Sequence, residues 1–236
     1  MRTFSRAALT VAAVALLAGP ALAQRQGQGR GGFGFGGMGQ AGPATLLANK
    51  SVQEELKLTT DEVAKVSAPG KTLSEKRRAM FTDLQGATQE QRTEKMKELT
   101  DAAKAADEDA MKIAKDTLKP DQMKRFGQIE IQVKGDAAFI DENVQKTLAI
   151  TDPEKDQIKT IRDEAATKMR ELRPARGQGG QGRGQGNQET QTKIQALRKE
   201  TVEKVVAILT DSQKTQWKEM VGSPFEYKPE LGMRGQ

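Results

Sequence analysis

The chain has 236 residues and a formal net charge of +6, and it contains neither cysteine nor histidine. These absences exclude disulfides, thiolate metal sites and the side chain that most often serves as metal ligand or general base. Aromatic residues make up only 4% of the chain and hydrophobic residues 36%, which favours thin helical layers over a deep ligand pocket. Acidic and basic residues are interspersed, as is typical of a solvated surface and not of a nucleic-acid interface.

The first 23 residues have the form of a secretory signal peptide. Arg2 and Arg6 precede an apolar run over residues 7–18, and Ala21-Leu22-Ala23 supplies a small-x-small cleavage site. The run is shorter than the roughly 20 residues that a membrane span needs. We therefore expect cleavage near Ala23, a periplasmic or secreted protein and no stable membrane insertion. An uncleaved anchor is the alternative.

Two Gly/Gln-rich segments divide the remainder of the chain. Segments 24–44 and 174–189 contain too little apolar surface to offset the entropy of ordering, so we predict that both are disordered. The predicted organisation is a first helical unit over 45–135, a second helical unit over 136–222 that contains the 174–189 loop, and a C-terminal tail over 223–236.

Between these segments the apolar residues follow a helical period. Spacings of three and four predict one long amphipathic helix from about residue 73 to residue 117, with a break near Gly86 as the alternative. The same spacing recurs in the second unit, and no comparable stretch alternates with period two. The sequence therefore predicts an all-α fold without a sheet. Stripes this narrow need a coiled-coil partner helix or a second subunit.

Two sequence patterns each occur twice. The pattern Leu47-x4-Val52-Gln53-x2-Leu56-x-Leu58-Thr59 returns 92 residues later as Phe139-x4-Val144-Gln145-x2-Leu148-x-Ile150-Thr151. At an offset of 91, Leu118-Lys-Pro-Asp-Gln122-x3-Phe126 matches Leu209-Thr-Asp-Ser-Gln213-x3-Trp217. Each unit opens with one pattern and closes with the other, which indicates a tandem duplication.

Both patterns contain capping boxes. A threonine hydroxyl can accept from the amide three residues later, while the Glu or Gln at that position bonds back to the threonine amide. Lys119 replaces the threonine at one site, so that copy lacks the hydroxyl cap. The predicted helix-capping residues are Leu58, Thr59, Glu62, Leu118, Gln122, Ile150, Thr151, Glu154, Leu209, Thr210 and Gln213.

The Leu209-Thr210-x-x-Gln213 signature, with looser forms at Leu58, Leu118 and Ile150, resembles the LTxxQ motif of the Spy/CpxP family of periplasmic helical proteins. The order of motifs fits two such units in tandem. The resemblance implies an all-α fold whose subunits pair into a thin, curved cradle. It also implies either ATP-independent chaperoning or an adaptor or sensor role in envelope stress. The pair could form within one chain, as a pseudo-dimer, or as a homodimer, and the Gly/Gln-rich loop departs from the family pattern.

No catalytic, cofactor or metal site is evident. The sequence shows no nucleophile with a base and no phosphate-binding loop, so we predict no enzyme activity and no cofactor. Metal-sensing relatives use histidine and sometimes methionine, but the methionines here have core-like spacings. The Asp107-Glu108-Asp109 cluster could attract calcium, yet consecutive helical residues point to different faces, which favours a solvated surface.

The predicted function is to hold unfolded or partly folded proteins on an amphiphilic helical surface. The alternative is an envelope-stress adaptor or sensor that docks one specific envelope protein. Each possible client contact has core packing as its alternative assignment. These residues are Met80, Phe81, Met96, Leu99, Ile113, Phe126, Met169 and Trp217.

Overall fold

The computed structural model describes residues 41–84, 86–172 and 185–229, with the backbone alone described for 185–188. These residues form α-helices, one 3-10 helix and their connections, and they contain no strand, as the sequence predicts. The elements in chain order are α1 (Pro43–Leu47), α2 (Lys50–Glu55), α3 (Thr60–Asp83), α4 (Gln89–Thr117), α5 (Pro120–Lys134), the 3-10 helix (Gly135–Ile140), α6 (Glu142–Thr147), α7 (Asp152–Leu172), α8 (Gln185–Ile208) and α9 (Asp211–Val221).

The structure corrects the edges of both segments predicted to be disordered. Ala44, at the end of the first segment, lies in α1 and is fully buried, because α1 packs on α3 and α4. At the end of the second segment, α8 already begins at Gln185, and the Glu189 to Lys193 ion pair of 2.7 Å supports its early turns. The signal peptide and the remainder of these two segments lie outside the described residues, as do residues 230–236 of the tail.

We call residues 45–135 the first repeat and residues 136–222 the second repeat. Each has its own apolar core, and the two cores are built from corresponding positions. In the first repeat the matched core residues are Leu46, Leu47, Val52, Leu56, Val66, Ala114, Leu118 and Phe126. Their counterparts at offsets of 92 and then 91 are Ala138, Phe139, Val144, Leu148, Ile158, Val205, Leu209 and Trp217.

A glutamine in each repeat ties its short helix back to the preceding element. Gln53 donates its Nε2 to the carbonyl oxygen of Leu47 at 2.8 Å, and Gln145 donates to that of Phe139 at 2.9 Å. The short helices then end at residues in the left-handed region, Lys57 with φ 52° and Ala149 with φ 50°. The Val-Gln part of the repeated pattern thus specifies a backbone turn.

Two of the predicted capping boxes, at Thr59 and Thr210, form in full. Glu62 N donates to the Thr59 hydroxyl at 3.3 Å and Thr59 N to the Glu62 carboxylate at 2.8 Å, which lowers the pKa of Glu62. Thr210 and Gln213 form a complete box, whereas the amide and hydroxyl of Thr151 both donate to Glu154. These boxes fix the start of the long helices of both repeats and of α9.

Lys119 leaves its helix with half a cap. The Lys119 amide donates to Gln122 Oε1 at 2.8 Å, but an ammonium group cannot accept the return bond from the Gln122 amide. One further complete box, which was not predicted, forms between Thr88 and Gln91 at the start of α4. Its Thr-x-x-Gln spacing is visible in the sequence.

Completing the cap at Lys119 should stabilise the protein. Lys119→Thr is expected to raise the free energy of unfolding by about 1 kcal/mol, because a hydroxyl acceptor satisfies an orphan amide of α5. Thr59→Ala is the matched control and should lower it by about the same amount. Urea unfolding followed by circular dichroism measures both changes. No gain from Lys119→Thr, alongside a clear loss from Thr59→Ala, would contradict the cap geometry.

Candidate functional site

Helices α3 and α4 form a long helical hairpin in the first repeat. They pack against each other and are joined by a short turn that contains Gly86. Gly86 has φ +86°, which a residue with a side chain rarely adopts, and the Thr88 cap then starts α4. The single helix predicted over residues 73–117 is therefore broken between Asp83 and Gln89, which is the alternative that the sequence left open. Helix α3 also begins at Thr60, ahead of the predicted start.

The hairpin has a small core of its own. Leu73 and Met80 of α3 and Leu99 of α4 are buried together. The residues that complete this cluster are half-buried and mostly small: Leu84, Met96, Ala102, Ala103 and Ala106. Because alanine fills so little volume, the two helices form a thin layer whose apolar stripe is only partly covered.

A shallow groove of about 490 Å³ runs along this thin layer. Its apolar lining comes mostly from small side chains of both helices, and charged side chains of both signs stand among them. The apolar lining residues are Ala68, Pro69, Leu73, Ala102, Ala105, Ala106 and Ile113, and the charged ones are Lys76, Asp109, Lys112 and Asp116. The groove is amphiphilic and carries no constellation of catalytic groups.

The structure separates the predicted client contacts into core and surface. Phe126, Trp217, Met80 and Leu99 are buried, with Phe126 only 1% exposed and Trp217 8% exposed. The rings of Trp217 and Phe139 stack with centroids 4.1 Å apart. These four residues form the cores, which is the alternative assignment given above.

The remaining predicted contacts reach the surface. Phe81 is 47% exposed and lies near the end of the hairpin, whereas Met96, Ile113 and Met169 are half-buried. Met96 and Ile113 both belong to α4, and Ile113 lines the groove, while Met169 lies on α7 of the second repeat. Phe81 and Met96 therefore lie near the turn of the hairpin, and Ile113 lies 17 positions further along α4 than Met96.

Asp107 of the acidic cluster is not on a solvated face. Its Oδ1 accepts from the Ala44 amide at 2.9 Å and its carboxylate lies against Gly42, so it anchors the start of α1. Burial raises the pKa of Asp107 above 3.8 despite this bond. Glu108 and Asp109 are exposed as expected. Within the described ranges no three His, Cys, Asp or Glu side chains are grouped to hold a metal ion.

Asp107→Asn is expected to change how stability depends on pH. The folded-state pKa of Asp107 lies above its unfolded value, so its contribution to the free energy of unfolding is most favourable when the carboxyl is protonated, below pH 3.8. That contribution is lost as pH rises through the folded-state pKa. Asparagine keeps an oxygen for the Ala44 amide but has no proton to lose. The stability of the variant relative to wild type should therefore rise as pH increases from below 3.8 through the folded-state pKa of Asp107, and then level off.

Urea unfolding of wild type and Asp107→Asn at a series of pH values measures this difference. The contributions of the other carboxylates cancel because both proteins contain them. Asp107→Ala is the control: it removes the acceptor and should cost about 1 kcal/mol. Parallel pH profiles for wild type and Asp107→Asn would contradict the assignment.

The two repeats meet through α5 and α9, which occupy corresponding positions. Gln128 Nε2 donates to the carbonyl oxygen of Glu219 at 3.1 Å, and Glu219 is the counterpart of Gln128 at the offset of 91. This bond therefore joins corresponding positions of the two repeats.

Residues 222–228, which we call the C-terminal strap, extend from α9 back to the first repeat. Gln132 of α5 holds the start of the strap: its Nε2 donates to the carbonyl oxygens of Val221 and Ser223 at 2.7 and 2.8 Å, and its Oε1 accepts from the Phe225 amide at 2.8 Å. The sequence predicted only a C-terminal tail over 223–236, because nothing in its composition signals docking.

No family model, curated protein or solved structure matches this chain. Its function must therefore be argued from the site itself. Among the described residues, no helix is long and apolar enough to cross a membrane. The surface that stands out is the amphiphilic groove between α3 and α4, which Phe81 does not line.

Proposed function

We propose that this chain is a non-enzymatic, ATP-independent chaperone of the Spy/CpxP type that acts after export and holds partly unfolded proteins on its hairpin. The observation that carries the proposal is the shallow amphiphilic groove between α3 and α4. An unfolded segment offers mixed apolar and charged side chains. A groove that also mixes small apolar residues with both signs of charge suits weak, sequence-tolerant binding.

The shallowness of the groove supports client holding over small-molecule binding. Ligand pockets bury most of a small molecule between apolar walls and a few convergent polar groups. Here the walls are the two helices of a thin hairpin, and the charged residues Lys76, Asp109, Lys112 and Asp116 line the same groove. Contacts of this kind release a client readily, which an ATP-independent chaperone requires.

The contact between α5 and α9 supports a pseudo-dimer within one chain. Subunits of the proposed family pair into a cradle, and the Gln128 to Glu219 bond joins corresponding positions of the two repeats. We therefore propose that one chain supplies both halves of the assembly. Light scattering of the purified protein should give the mass of a monomer, and a mass twice as large would favour a homodimer.

The test of function is the aggregation of a chemically unfolded model protein, followed by light scattering with and without the chain and without ATP. Suppression at near-stoichiometric ratios is the expected result. Phe81→Ser should weaken the suppression several-fold, because it removes an exposed aromatic side chain of the hairpin. Ile140→Ser is the matched control: Ile140 is 53% exposed but lies in the 3-10 helix, outside the hairpin.

Loss of suppression in both variants would show that exposed apolar residues contribute to client binding wherever they lie on the protein, and not only on the hairpin.

Absence of suppression by the wild-type chain would instead favour the adaptor function. A specific dock should be saturable and sensitive to one charge reversal in the groove, such as Lys112→Glu, whereas client holding should tolerate it.

A further inference from the structure

Several polar side chains of the first repeat hold the C-terminal strap through its backbone atoms. Besides the bonds of Gln132, Arg125 Nη1 donates to the Ser223 carbonyl oxygen at 2.8 Å. At the far end Asn49 Nδ2 donates to the Lys228 carbonyl oxygen at 2.8 Å, and the Lys228 amide donates to Ser51 Oγ at 3.4 Å. Side chains that bind a backbone recognise an extended conformation and do not depend on the bound sequence.

The strap's own side chains alternate between the protein and solvent. Phe225 and Tyr227 are half-buried and pack against the core of the first repeat, whereas Glu226 and Lys228 are exposed. This alternation is that of an extended chain with one face in contact. The groove therefore accepts a segment with two aromatic side chains spaced two residues apart.

The groove is specific to the first repeat. At corresponding positions of the second repeat, Asn49 is replaced by Asp141 and Arg125 by Gln216, while the position that matches Gln132 is Ser223, outside that repeat. Asp141 is already engaged, because it accepts from Lys134 Nζ at 2.9 Å and from the Asn143 amide at 2.9 Å. Both repeats keep their apolar cores, but only the first repeat has the side chains that bind the strap. These side chains are therefore not required by the packing that the two repeats share.

We propose that this groove is a binding site for extended polypeptide segments with apolar side chains at alternating positions, and that the strap is its displaceable resident. The proposal rests on the proposed function, since it adds a second client contact to the hairpin. A tethered occupant has an effective concentration on the order of millimolar, so the intact chain should bind a free peptide weakly. Releasing the tether exposes the site.

The experiment uses the full chain with a site-specific protease sequence inserted between Gly222 and Ser223. The probe is a fluorescent peptide with the sequence of residues 222–229, followed by fluorescence anisotropy. We expect the uncut chain to bind it weakly and the cut chain to bind it at least about 10-fold more tightly, because the strap can then leave. A peptide with serine in place of both aromatic residues is the control and should not bind.

A second variant assigns the site. In the cut chain, Gln132→Leu should abolish peptide binding, because two of the backbone bonds to the peptide, those to Ser223 and Phe225, come from this amide. Equal binding before and after cleavage, or binding unaffected by Gln132→Leu, would overturn the proposal. Unfolding of the cut chain, seen by circular dichroism, would overturn it as well, because a site that cannot be vacated is part of the core.

The outcomes also separate this proposal from the chaperone function. If the cut chain binds the peptide but the intact chain does not suppress aggregation, the groove under the strap is a peptide-binding site and the proposed chaperone function is wrong. If aggregation is suppressed, but the cut chain does not bind the peptide, the hairpin alone carries the function and the strap is structural.

Discussion

Replacing Trp217 by alanine is expected to lower the free energy of unfolding by about 3–5 kcal/mol. Trp217 is 8% exposed, stacks on Phe139 and belongs to the core of the second repeat. Its removal leaves a cavity under α9 that the neighbouring helices cannot fill without moving. Chemical unfolding followed by circular dichroism measures the loss.

The duplication supplies the control for this variant. Phe126 takes the corresponding position in the first repeat, so Trp217→Phe should retain a stacked ring and cost less than about 2 kcal/mol. Alanine and phenylalanine variants of equal stability would show that Trp217 is not packed as described. A large loss of aggregation suppression by Trp217→Phe at unchanged stability would indicate that Trp217 contacts clients.

Replacing Gly70 by valine is expected to cost about 1–3 kcal/mol or more and to release α1 from the hairpin. A Cβ atom at Gly70 would collide with the carbonyl oxygen of Ala44 and lie 2.7 Å from the Cβ atom of Ala48. Because the first obstacle is backbone, α1 as a whole would have to shift. Hydrogen exchange should show faster exchange at α1 than in wild type.

Gly127→Ala is the matched control for this prediction. Gly127 lies inside α5, and a Cβ atom there meets nothing within 4 Å. Alanine should therefore stabilise the protein by about 1 kcal/mol through helix propensity alone. A loss of stability at Gly127, or none at Gly70, would contradict the described packing of α1 on α3.

The all-α fold and several capping sites could be predicted because their signals are local. Thr59 and Thr210 cap helices through residues three positions away, and the apolar periodicity of α4 lies within that helix. The turn at Gly86 could be anticipated for the same reason, since its conformation depends on the glycine itself.

What the sequence did not predict depends on contacts between distant residues. Asp107 caps α1 across 63 positions of sequence, and Lys228 meets Asn49 across 179. Helix α3 continues through Pro69 and Gly70, a pair that usually ends a helix, because α1 crosses closely at Gly70. Periodicity alone could not distinguish Phe126, which is buried, from Phe81, which is exposed, since both lie on amphipathic helices.

The position of the strap also determines when the fold can be completed. Residues 222–228 close over the first repeat, and the bond between Asn49 and Lys228 spans 179 positions of the sequence. Contacts across such separations form late in folding. The strap should therefore dock after the core of the first repeat has formed, and a refolding experiment should show the Phe225 and Lys228 amides gaining protection from hydrogen exchange after the amides of α5.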